Sequence, residues 1–264
     1  MIKVNDKIID LDNFPDGTLL MKYGTGNDKE FMIDWYYEND AELFALICLV
    51  REIQSDGFNN YSLYMPYFAH ARMDRVKEYN DVFTLKYFCE VINSLNFKKV
   101  TVCDVHSNVT LALLNNVELL SAKDYIKSTL EELNTENPVL FFPDEGAMKR
   151  YSGDFKHNLF TYSNKVRDWE TGKINKLNIV EPEIVKDRNI LIVDDICSYG
   201  GTFHRAAKAL KEAGAKNIYL YVTHAEKNMV KGDMYLSDDI IHIYTTSSIF
   251  DTMWDQRNKV TIVG

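Results

Sequence analysis

The segment from Asn189 to Thr202 restricts the fold of this chain more than any other. It reads Asn-Ile-Leu-Ile-Val-Asp-Asp-Ile-Cys-Ser-Tyr-Gly-Gly-Thr, so two carboxylates follow an apolar run and two glycines precede an amphipathic stretch. A short run of β-branched and aliphatic residues is typical of a strand buried in a parallel sheet. Paired glycines permit the tight turn that leads out of such a strand. The segment therefore predicts a strand, a loop and a helix of an α/β fold.

The remainder of the chain alternates in the same way between apolar runs and amphipathic stretches. Strands are predicted at residues 61–65, 98–104, 139–142, 189–193, 216–223 and 240–244, and helices at 81–95 and 203–213, the second ending at Gly214. Buried strands separated by helices indicate parallel βαβ units. The polar residues 134–138 are the predicted boundary between two similar α/β halves, residues 1–135 and 136–264, each a mostly parallel sheet flanked by helices.

Composition excludes several classes of protein. The net charge of −9 over 264 residues leaves no basic stripe for nucleic acid. The longest apolar candidate, Ala41–Val50, is shorter than the roughly 18 residues that a membrane span needs. The first residues lack the apolar core of a secretory signal, and the four cysteines are scattered. We therefore expect a cytoplasmic protein with reduced thiols and neither nucleic-acid nor membrane partners.

The loop at Ser198–Thr202 has the features of an anion site. Ligands of open α/β sheets bind at the carboxyl ends of the strands, which is where this loop lies. Gly200 and Gly201 allow backbone N–H groups to converge, and the start of the next helix adds partial positive charge. Thr202 either caps that helix or donates a hydrogen bond to the anion. The loop predicts a site for a phosphate group, made by Ser198, Tyr199, Gly200, Gly201 and Thr202.

The neighbouring carboxylates, Asp194 and Asp195, narrow the ligand further. They would repel a phosphate, so they either accept hydrogen bonds from sugar hydroxyls or hold a divalent cation. A phosphate next to a vicinal diol indicates ribose 5-phosphate. The alternative is a purely structural strand, turn and helix with a capped start. The segment is neither a Walker A loop nor a dinucleotide-binding fingerprint.

This combination of strand, acidic pair and glycine loop resembles the type I phosphoribosyltransferase superfamily. Within it, the chain is most similar to the ribose-phosphate pyrophosphokinase family, because further short motifs follow that family's order over most of the chain. Two residues of the loop depart from the pattern: Ser198 replaces an acidic residue and Tyr199 replaces a threonine. The chain is also short at both ends relative to the family pattern. The resemblance implies two phosphoribosyltransferase-type halves and a homo-oligomer.

The motifs before residue 107 match segments that bind ATP in the family. Residues 13–17 resemble Phe-Ser-Asp-Gly-Glu, residues 65–74 resemble Pro-Tyr-Phe-x-Tyr-Ala-Arg-Gln-Asp, and residues 103–106 resemble Asp-Leu-His. Thr18 stands where the family has glutamate, and Met73 where it has glutamine. The resemblance implies that ATP is bound by Phe14, Asp16, Arg72, Asp74 and His106. From the residues alone, Phe14 is equally a core residue, and Arg72 is equally part of a surface ion pair.

The motifs after residue 141 match the segments that the family uses for metal and catalysis. Residues 142–150 resemble Ser-Pro-Asp-x-Gly-x-x-Lys-Arg, which implies that Asp144 serves Mg²⁺, although from the residues alone a turn residue is nearly as good an explanation. The earlier resemblance of residues 103–106 implies that His106 lies at the same ATP–metal site. Since magnesium prefers oxygen, His106 fits better through water or on ATP. Lys165 and Arg167 resemble the Lys-x-Arg of a flexible catalytic loop, and the polar residues 161–176 predict a mobile arm. From these residues alone, an exposed loop is the alternative.

The resemblance implies an Mg-ATP-dependent diphosphotransferase. It would move the β,γ-diphosphate of ATP to the C1 hydroxyl of ribose 5-phosphate, giving phosphoribosyl pyrophosphate and AMP. A variant would use ADP-ribose as acceptor, as phage-type relatives of the family do in NAD metabolism, because Ser198 and Tyr199 suit a phosphodiester. Two further alternatives are a base phosphoribosyltransferase and a non-catalytic regulatory relative.

Overall fold

The apolar runs of the sequence form the strands of two mostly parallel sheets in a computed structural model of the chain. It describes residues 1–133, 135, 137–167 and 174–264, without the side chains of 165–167 and 174–176. The predicted α/β class is confirmed. The chain divides into two units, Met1–Ser121 and Ala122–Gly264. The division predicted at residue 135 lies further along the chain, after a helix whose Ile126 and Leu133 belong to a core cluster of the second unit.

The first unit contains one sheet, a separate hairpin and three helices. Four strands of the sheet run parallel, and an antiparallel pair extends one edge, in the order β2-β1-β5-β6-β7-β8. The hairpin consists of β3 and β4. The elements are β1 (Ile2–Val4), β2 (Lys7–Ile8), β3 (Leu11–Asn13), β4 (Leu19–Met21), β5 (Phe31–Trp35), α1 (Ala41–Ser55), β6 (Tyr61–Met65), α2 (Thr84–Ser94), β7 (Val100–Cys103), α3 (Val109–Leu113) and β8 (Val117–Leu120).

Helices α1 and α2 bury apolar residues at helical spacing. In α1, Leu46, Leu49 and Ile53 have no exposed surface, and in α2 Leu85 and Ile92 are equally buried. Residues spaced by three, four and seven lie on one helix face, which explains how each helix covers the sheet. The apolar run at 41–50 is thus the beginning of a core helix. Within the described part of the chain, no helix is long and apolar enough to cross a membrane.

The second unit is built around a larger sheet. In the described residues its strand order is β11-β10-β9-β12-β13-β14-β15, and every neighbouring pair is parallel except β10 and β11. The elements are α4 (Lys123–Leu133), β9 (Val139–Phe142), α5 (Glu145–Tyr151), β10 (Phe160–Arg167), β11 (Ile174–Ile179), β12 (Ile190–Cys197), α6 (Gly201–Glu212), β13 (Ile218–Ala225), α7 (Asp233–Leu236), β14 (His242–Thr245) and β15 (Val260–Ile262).

Strand β12 is buried on both faces. Ile190 and Ile192 belong to one core cluster, with residues of α6, whereas Leu191 and Val193 belong to a second cluster, with residues of α4 and α5. Successive side chains of a strand point to opposite faces of the sheet, so a continuous apolar run is what a strand covered on both sides requires. This burial fixes the position of the polar residues at the end of β12.

Two expectations about strands are corrected. Strand β12 does not end at Val193 but continues through the acidic pair to Cys197, because its pairing with β13 extends to Ala225. In the segment 161–176, where the sequence indicated no strand, the described parts form the antiparallel pair β10 and β11. That this segment is a mobile arm stays a prediction. Ladder hydrogen bonds with β9 and β11 order this polar sequence despite its few apolar residues. Residues 168–173 lie outside the described residues.

Truncation of Leu210 should destabilise the second unit measurably. This residue of α6 has no exposed surface, and Leu-to-Ala changes at such sites cost about 2–5 kcal/mol of unfolding free energy. Lys208→Ala, on the exposed side of the same helix, should change that free energy by less than about 0.5 kcal/mol. Urea denaturation followed by circular dichroism measures both. Equal effects of the two substitutions would contradict the packing described for α6.

Candidate active site

The loop between β12 and α6 has a backbone that favours glycine. Gly200 has a φ of +73° and occupies the position before the helix, a conformation that residues with a side chain rarely adopt. No side chain of the described residues caps the start of α6. The prediction that Thr202 caps the helix is therefore wrong, because Gly200 occupies that position and Thr202 lies in the first turn. The N–H groups of that turn can serve an anion.

The acidic pair before the loop is asymmetric. Asp195 is 3% exposed, and its Oδ2 atom lies 3.1 Å from Nη1 of Arg150 in α5. The backbone N–H of Asp195 donates to Oδ1 of Asp194 over 3.0 Å. Asp195 therefore has a guanidinium partner, as a buried carboxyl group requires.

Asp194 experiences the opposite electrostatic environment. Burial of its carboxyl group, followed by the negative charge of Asp195, raises the pKa of Asp194 well above its ordinary value, and Asp144 adds a further raising contribution. Asp144, which follows β9, thus lies near Asp194 and Asp195 in the second half of β12. A ligand that donates hydrogen bonds, or a cation, would relieve the repulsion among them.

Asp144 has a structural function in addition to its position near the pair. Its Oδ1 atom accepts a hydrogen bond from the backbone N–H of Ala147 over 3.1 Å and thereby caps α5. The cap fixes the start of the helix that carries Arg150 at its other end. The interpretation of Asp144 as a turn residue is therefore confirmed, and its metal role stays a prediction.

In the first unit, the structure brings together two of the predicted ATP residues. Asp74 accepts two hydrogen bonds from Arg75, of 2.8 and 3.2 Å, and one from the hydroxyl of Ser107, of 2.8 Å. The bonds from Arg75 are the main reason that the pKa of Asp74 is lowered, and the charge of nearby His106 contributes. These residues follow β6 and β7, at the carboxyl ends of two parallel strands. The exposed Arg72 belongs to the same segment.

Phe14 and Asp16 lie at the tip of the hairpin formed by β3 and β4. Phe14 is 50% exposed, so the alternative that it is a core residue is wrong. Asp16 accepts hydrogen bonds from the backbone N–H and the hydroxyl of Thr18, at 3.0 and 2.7 Å, and these bonds lower its pKa. Thr18, which replaces the family's glutamate, thus stabilises the turn. Stacking of Phe14 on adenine stays a prediction.

Comparison with known proteins supports the predicted resemblance. Residues 118–243 match the phosphoribosyl transferase domain family. A ribose-phosphate pyrophosphokinase of Thermococcus kodakarensis is 28% identical over 222 residues, covering 82% of this chain and 77% of the relative. One from Pasteurella multocida is 27% identical over 247 residues, covering 89% and 77%. The chain is thus similar in sequence to ribose-phosphate pyrophosphokinases over most of its length.

A solved structure agrees with this relationship at the level of the fold. Phosphoribosylpyrophosphate synthetase from Mycobacterium smegmatis superposes with a TM-score of 0.80, covering 97% of this chain and 85% of that chain, at 15% sequence identity. The architecture of the chain is therefore that of two phosphoribosyltransferase-type halves, as predicted.

The predicted catalytic cations are placed only in part. The backbones of Lys165 and Arg167 belong to β10 and pair with Leu177 and Ile174 of β11. Their side chains lie outside the description of the structure, so their catalytic role stays a prediction. Within the described ranges 1–133, 135, 137–167 and 174–264, no three His, Cys, Asp or Glu residues form a group that could hold a metal ion.

Arg150 is a site residue whose partner the sequence does not indicate. From the sequence it could contact phosphate or lie on a helix surface. The structure pairs it with Asp195, which is 45 positions away in the chain. No local spacing rule connects residues at that distance. The only sequence signal is the buried acidic pair itself, which requires a cation from some other element.

Replacement of Asp194 by asparagine should stabilise the folded protein at neutral pH. A raised pKa means that the native state holds the proton more tightly than the unfolded state, so ionisation of Asp194 reduces stability as the pH rises above about 3.8. Asparagine cannot ionise. We expect Asp194→Asn to melt at a higher temperature than the original protein at pH 7, with the difference shrinking toward pH 4. Differential scanning calorimetry at several pH values measures this.

A matched control is Asp81→Asn. The backbone N–H groups of Glu78 and Lys77 donate to Asp81 and lower its pKa, so this substitution should not stabilise the protein at pH 7. A gain at Asp81 equal to that at Asp194, or a gain at Asp194 that does not depend on pH, would contradict the electrostatic description of the acidic pair.

Proposed function

We propose that the chain transfers the β,γ-diphosphate of ATP to the C1 hydroxyl of ribose 5-phosphate. The observation that carries the proposal is the acidic pair, fixed by Arg150 and followed directly by the glycine loop. The names of the homologues, which are ribose-phosphate pyrophosphokinases, support the same reaction. The products are phosphoribosyl pyrophosphate and AMP.

The acceptor is bound by two adjacent sets of groups: N–H donors that bind its phosphate and carboxyl groups that bind its sugar hydroxyls. The N–H groups of Ser198–Thr202 and the start of α6 receive its phosphate. Asp195, which is paired with Arg150, and the neighbouring Asp194 accept hydrogen bonds from the sugar hydroxyls. Charge-assisted hydrogen bonds are stronger than neutral ones and fix the orientation of the ribose. The C1 hydroxyl is thereby held ready for attack.

The transfer makes and breaks one bond to phosphorus. The C1 oxygen bonds to the β-phosphorus of ATP, the bond from that phosphorus to the oxygen shared with the α-phosphate breaks, and AMP leaves. The C1 hydroxyl releases its proton to water, and AMP keeps the oxygen of the broken bond. Because the diphosphate carries several negative charges, catalysis depends on position and on cations rather than on a covalent intermediate. We assign this stabilisation to Lys165 and Arg167, as the family resemblance implies.

The carboxylate oxygens near the acidic pair are of the type that magnesium prefers, although in the described residues they do not form a complete group of three ligands. The proximity of Asp144 to Asp194, expressed in the raised pKa of Asp194, is a concentration of negative charge that a divalent cation would neutralise. We propose that Asp144 holds Mg²⁺ directly or through water and that His106 serves ATP or a metal-bound water. When bound, the ion neutralises charge on the transferred phosphate oxygens.

ATP is assigned to the first unit. Asp74, with its bonds to Arg75 and Ser107, fixes the segment that carries Arg72, and the charge of His106 acts on the same carboxylate. The exposed ring of Phe14 is available for stacking on adenine. Asp16 orders the hairpin tip on which Phe14 lies. We further propose a homo-oligomer, as the family resemblance implies.

ADP-ribose is a second candidate acceptor. Tyr199 is 57% exposed within the loop and replaces a threonine of the family pattern. An aromatic ring at this position offers apolar surface to a larger acceptor, whose phosphodiester carries less charge than a terminal phosphate. The reaction at C1 would be unchanged. A base phosphoribosyltransferase would use the same loop but not the ATP segments of the first unit.

An acceptor screen tests the proposal. With Mg-ATP, ribose 5-phosphate should give AMP at a rate well above that without acceptor, and chromatography of nucleotides measures it. Faster turnover with ADP-ribose would favour the second candidate. Pyrophosphate release from phosphoribosyl pyrophosphate and a nucleobase would favour a base phosphoribosyltransferase. Nucleotide binding without AMP formation on any acceptor would contradict the proposal and favour a non-catalytic relative.

Lys165→Ala should slow the chemical step by at least about tenfold, which corresponds to about 1.4 kcal/mol of activation free energy. The reason is the loss of a cation that stabilises the transferred phosphates. Single-turnover rates measure the step separately from product release. Lys156→Ala removes an exposed lysine of the same unit and should leave the rate unchanged. A loss below tenfold, or equal losses for both variants, would argue against a transition-state role for Lys165.

A further inference from the structure

The acceptor loop is held from one side by a close backbone contact. A Cβ atom built on Gly232 would lie 1.9 Å from the carbonyl oxygen of Tyr199 and 2.8 Å from its carbonyl carbon. The backbone of Gly232 itself has a φ of −84° and a ψ of 153°, which any residue can adopt. Glycine is therefore required at position 232 by the approach of Tyr199 and not by backbone conformation.

A second contact from the same segment fixes the next residue of the loop. A Cβ atom on Gly200 would lie 2.8 Å from Cε and 2.9 Å from Cβ of Met234. Met234 has no exposed surface, so its side chain has no free space into which it could retreat. Tyr199 and Gly200 thus lie against a two-point support formed by Gly232 and Met234.

The support is itself anchored by cations from the end of the chain. Nζ of Lys259, a residue 6% exposed, donates to the carbonyl oxygens of Tyr235 and Ser237 at 3.1 and 2.6 Å. Arg257 donates to the carbonyl oxygens of Tyr235 and Leu236. Cations at the C-terminal end of a helix satisfy its last carbonyl groups. These bonds fix α7 and, with it, Gly232 and Met234.

We propose that the segment Gly232–Ser237, here called the brace, is a positioning element that sets the shape of the acceptor loop and thereby the affinity for the acceptor phosphate. The proposal rests on the proposed function of that loop. Its residues do not touch the reacting atoms. They act through Tyr199 and Gly200, whose backbone groups must point toward the phosphate.

The expected effect follows from distances. In Gly232→Ala the new Cβ would lie 1.9 Å from the carbonyl oxygen of Tyr199. The two atoms must move apart by about one ångström, because real contacts of a Cβ atom are not shorter than 3.0 Å. Hydrogen bonds to an anion span only about 2.7–3.2 Å, so a shift of that size in Tyr199 breaks several of them together. The binding of ATP, assigned to other residues, should not change.

The test compares Gly232→Ala with the original protein and with Gly153→Ala. Gly153 is a matched control, because a Cβ there meets nothing within 4 Å and its φ is not positive. We expect Gly232→Ala to raise the KM for ribose 5-phosphate at least tenfold and leave the KM for ATP within twofold. A purely structural role would lower the active fraction, and hence kcat, with both KM values unchanged. That result would overturn the proposal.

Two further measurements keep the proposal open to refutation. Met234→Leu conserves volume and should fold, yet it reshapes the contact with Gly200, so the KM for ribose 5-phosphate should rise at least threefold even if Gly232→Ala does not fold. Hydrogen exchange of peptides covering residues 195–203, measured without ligand, should accelerate in Gly232→Ala or Met234→Leu and not in Gly153→Ala.

The exchange measurement separates the brace from the proposed function. If the original protein gives no AMP with ribose 5-phosphate, the proposed function fails, while faster exchange in the loop still supports the brace. If the original protein is active and the variants change neither the exchange of the loop nor the KM for the acceptor, the brace is refuted and the proposed function stands.

Discussion

Two adjacent carboxylates at the end of a buried strand are the constraint on which the candidate site depends. Such a pair is unstable unless one member is neutralised and the other is protonated or bound. The protein meets this requirement with Arg150 on Asp195 and with a raised pKa at Asp194. Both α5, which carries Arg150, and Asp144, which caps α5, are therefore parts of the proposed acceptor site as well as parts of the fold.

The same principle of placement recurs in the first unit. Polar residues follow β6 and β7 at the carboxyl ends of parallel strands, and Asp74 is there surrounded by Arg75, Ser107 and the charge of His106. Parallel sheets covered on both faces leave their strand ends as the place for polar chemistry. Each unit thus offers one polar site built on a rigid apolar sheet.

The sequence predicted those features that depend on local pattern. Strands β6 and β9 have the predicted bounds, because continuous apolar runs flanked by polar residues determine them. The glycine loop and α6 are also predicted locally, because paired glycines permit a tight turn and the amphipathic stretch after them is typical of a helix. The similarity of the chain to ribose-phosphate pyrophosphokinases also follows from short ordered motifs.

Features that depend on contacts between distant residues could not be predicted in this way. The ion pair of Arg150 with Asp195 and the contact of Gly232 with Tyr199 each join segments that are far apart in the chain. Strands β10 and β11 were also not predicted, because polar composition does not reveal pairing with a neighbouring strand. Gly232 has ordinary backbone angles, so only its neighbour explains it.

We infer that the β- and γ-phosphates of ATP move together to the sugar bound at the acceptor loop. Phosphorus-31 NMR of a reaction containing Mg-ATP and ribose 5-phosphate tests this directly. We expect the ATP signals to be replaced by those of AMP and of a sugar that carries a diphosphate ester. Formation of ADP together with a second monophosphate ester on the sugar would contradict the transfer of both phosphates. Hydrolysis of ATP without a new sugar ester would also contradict it.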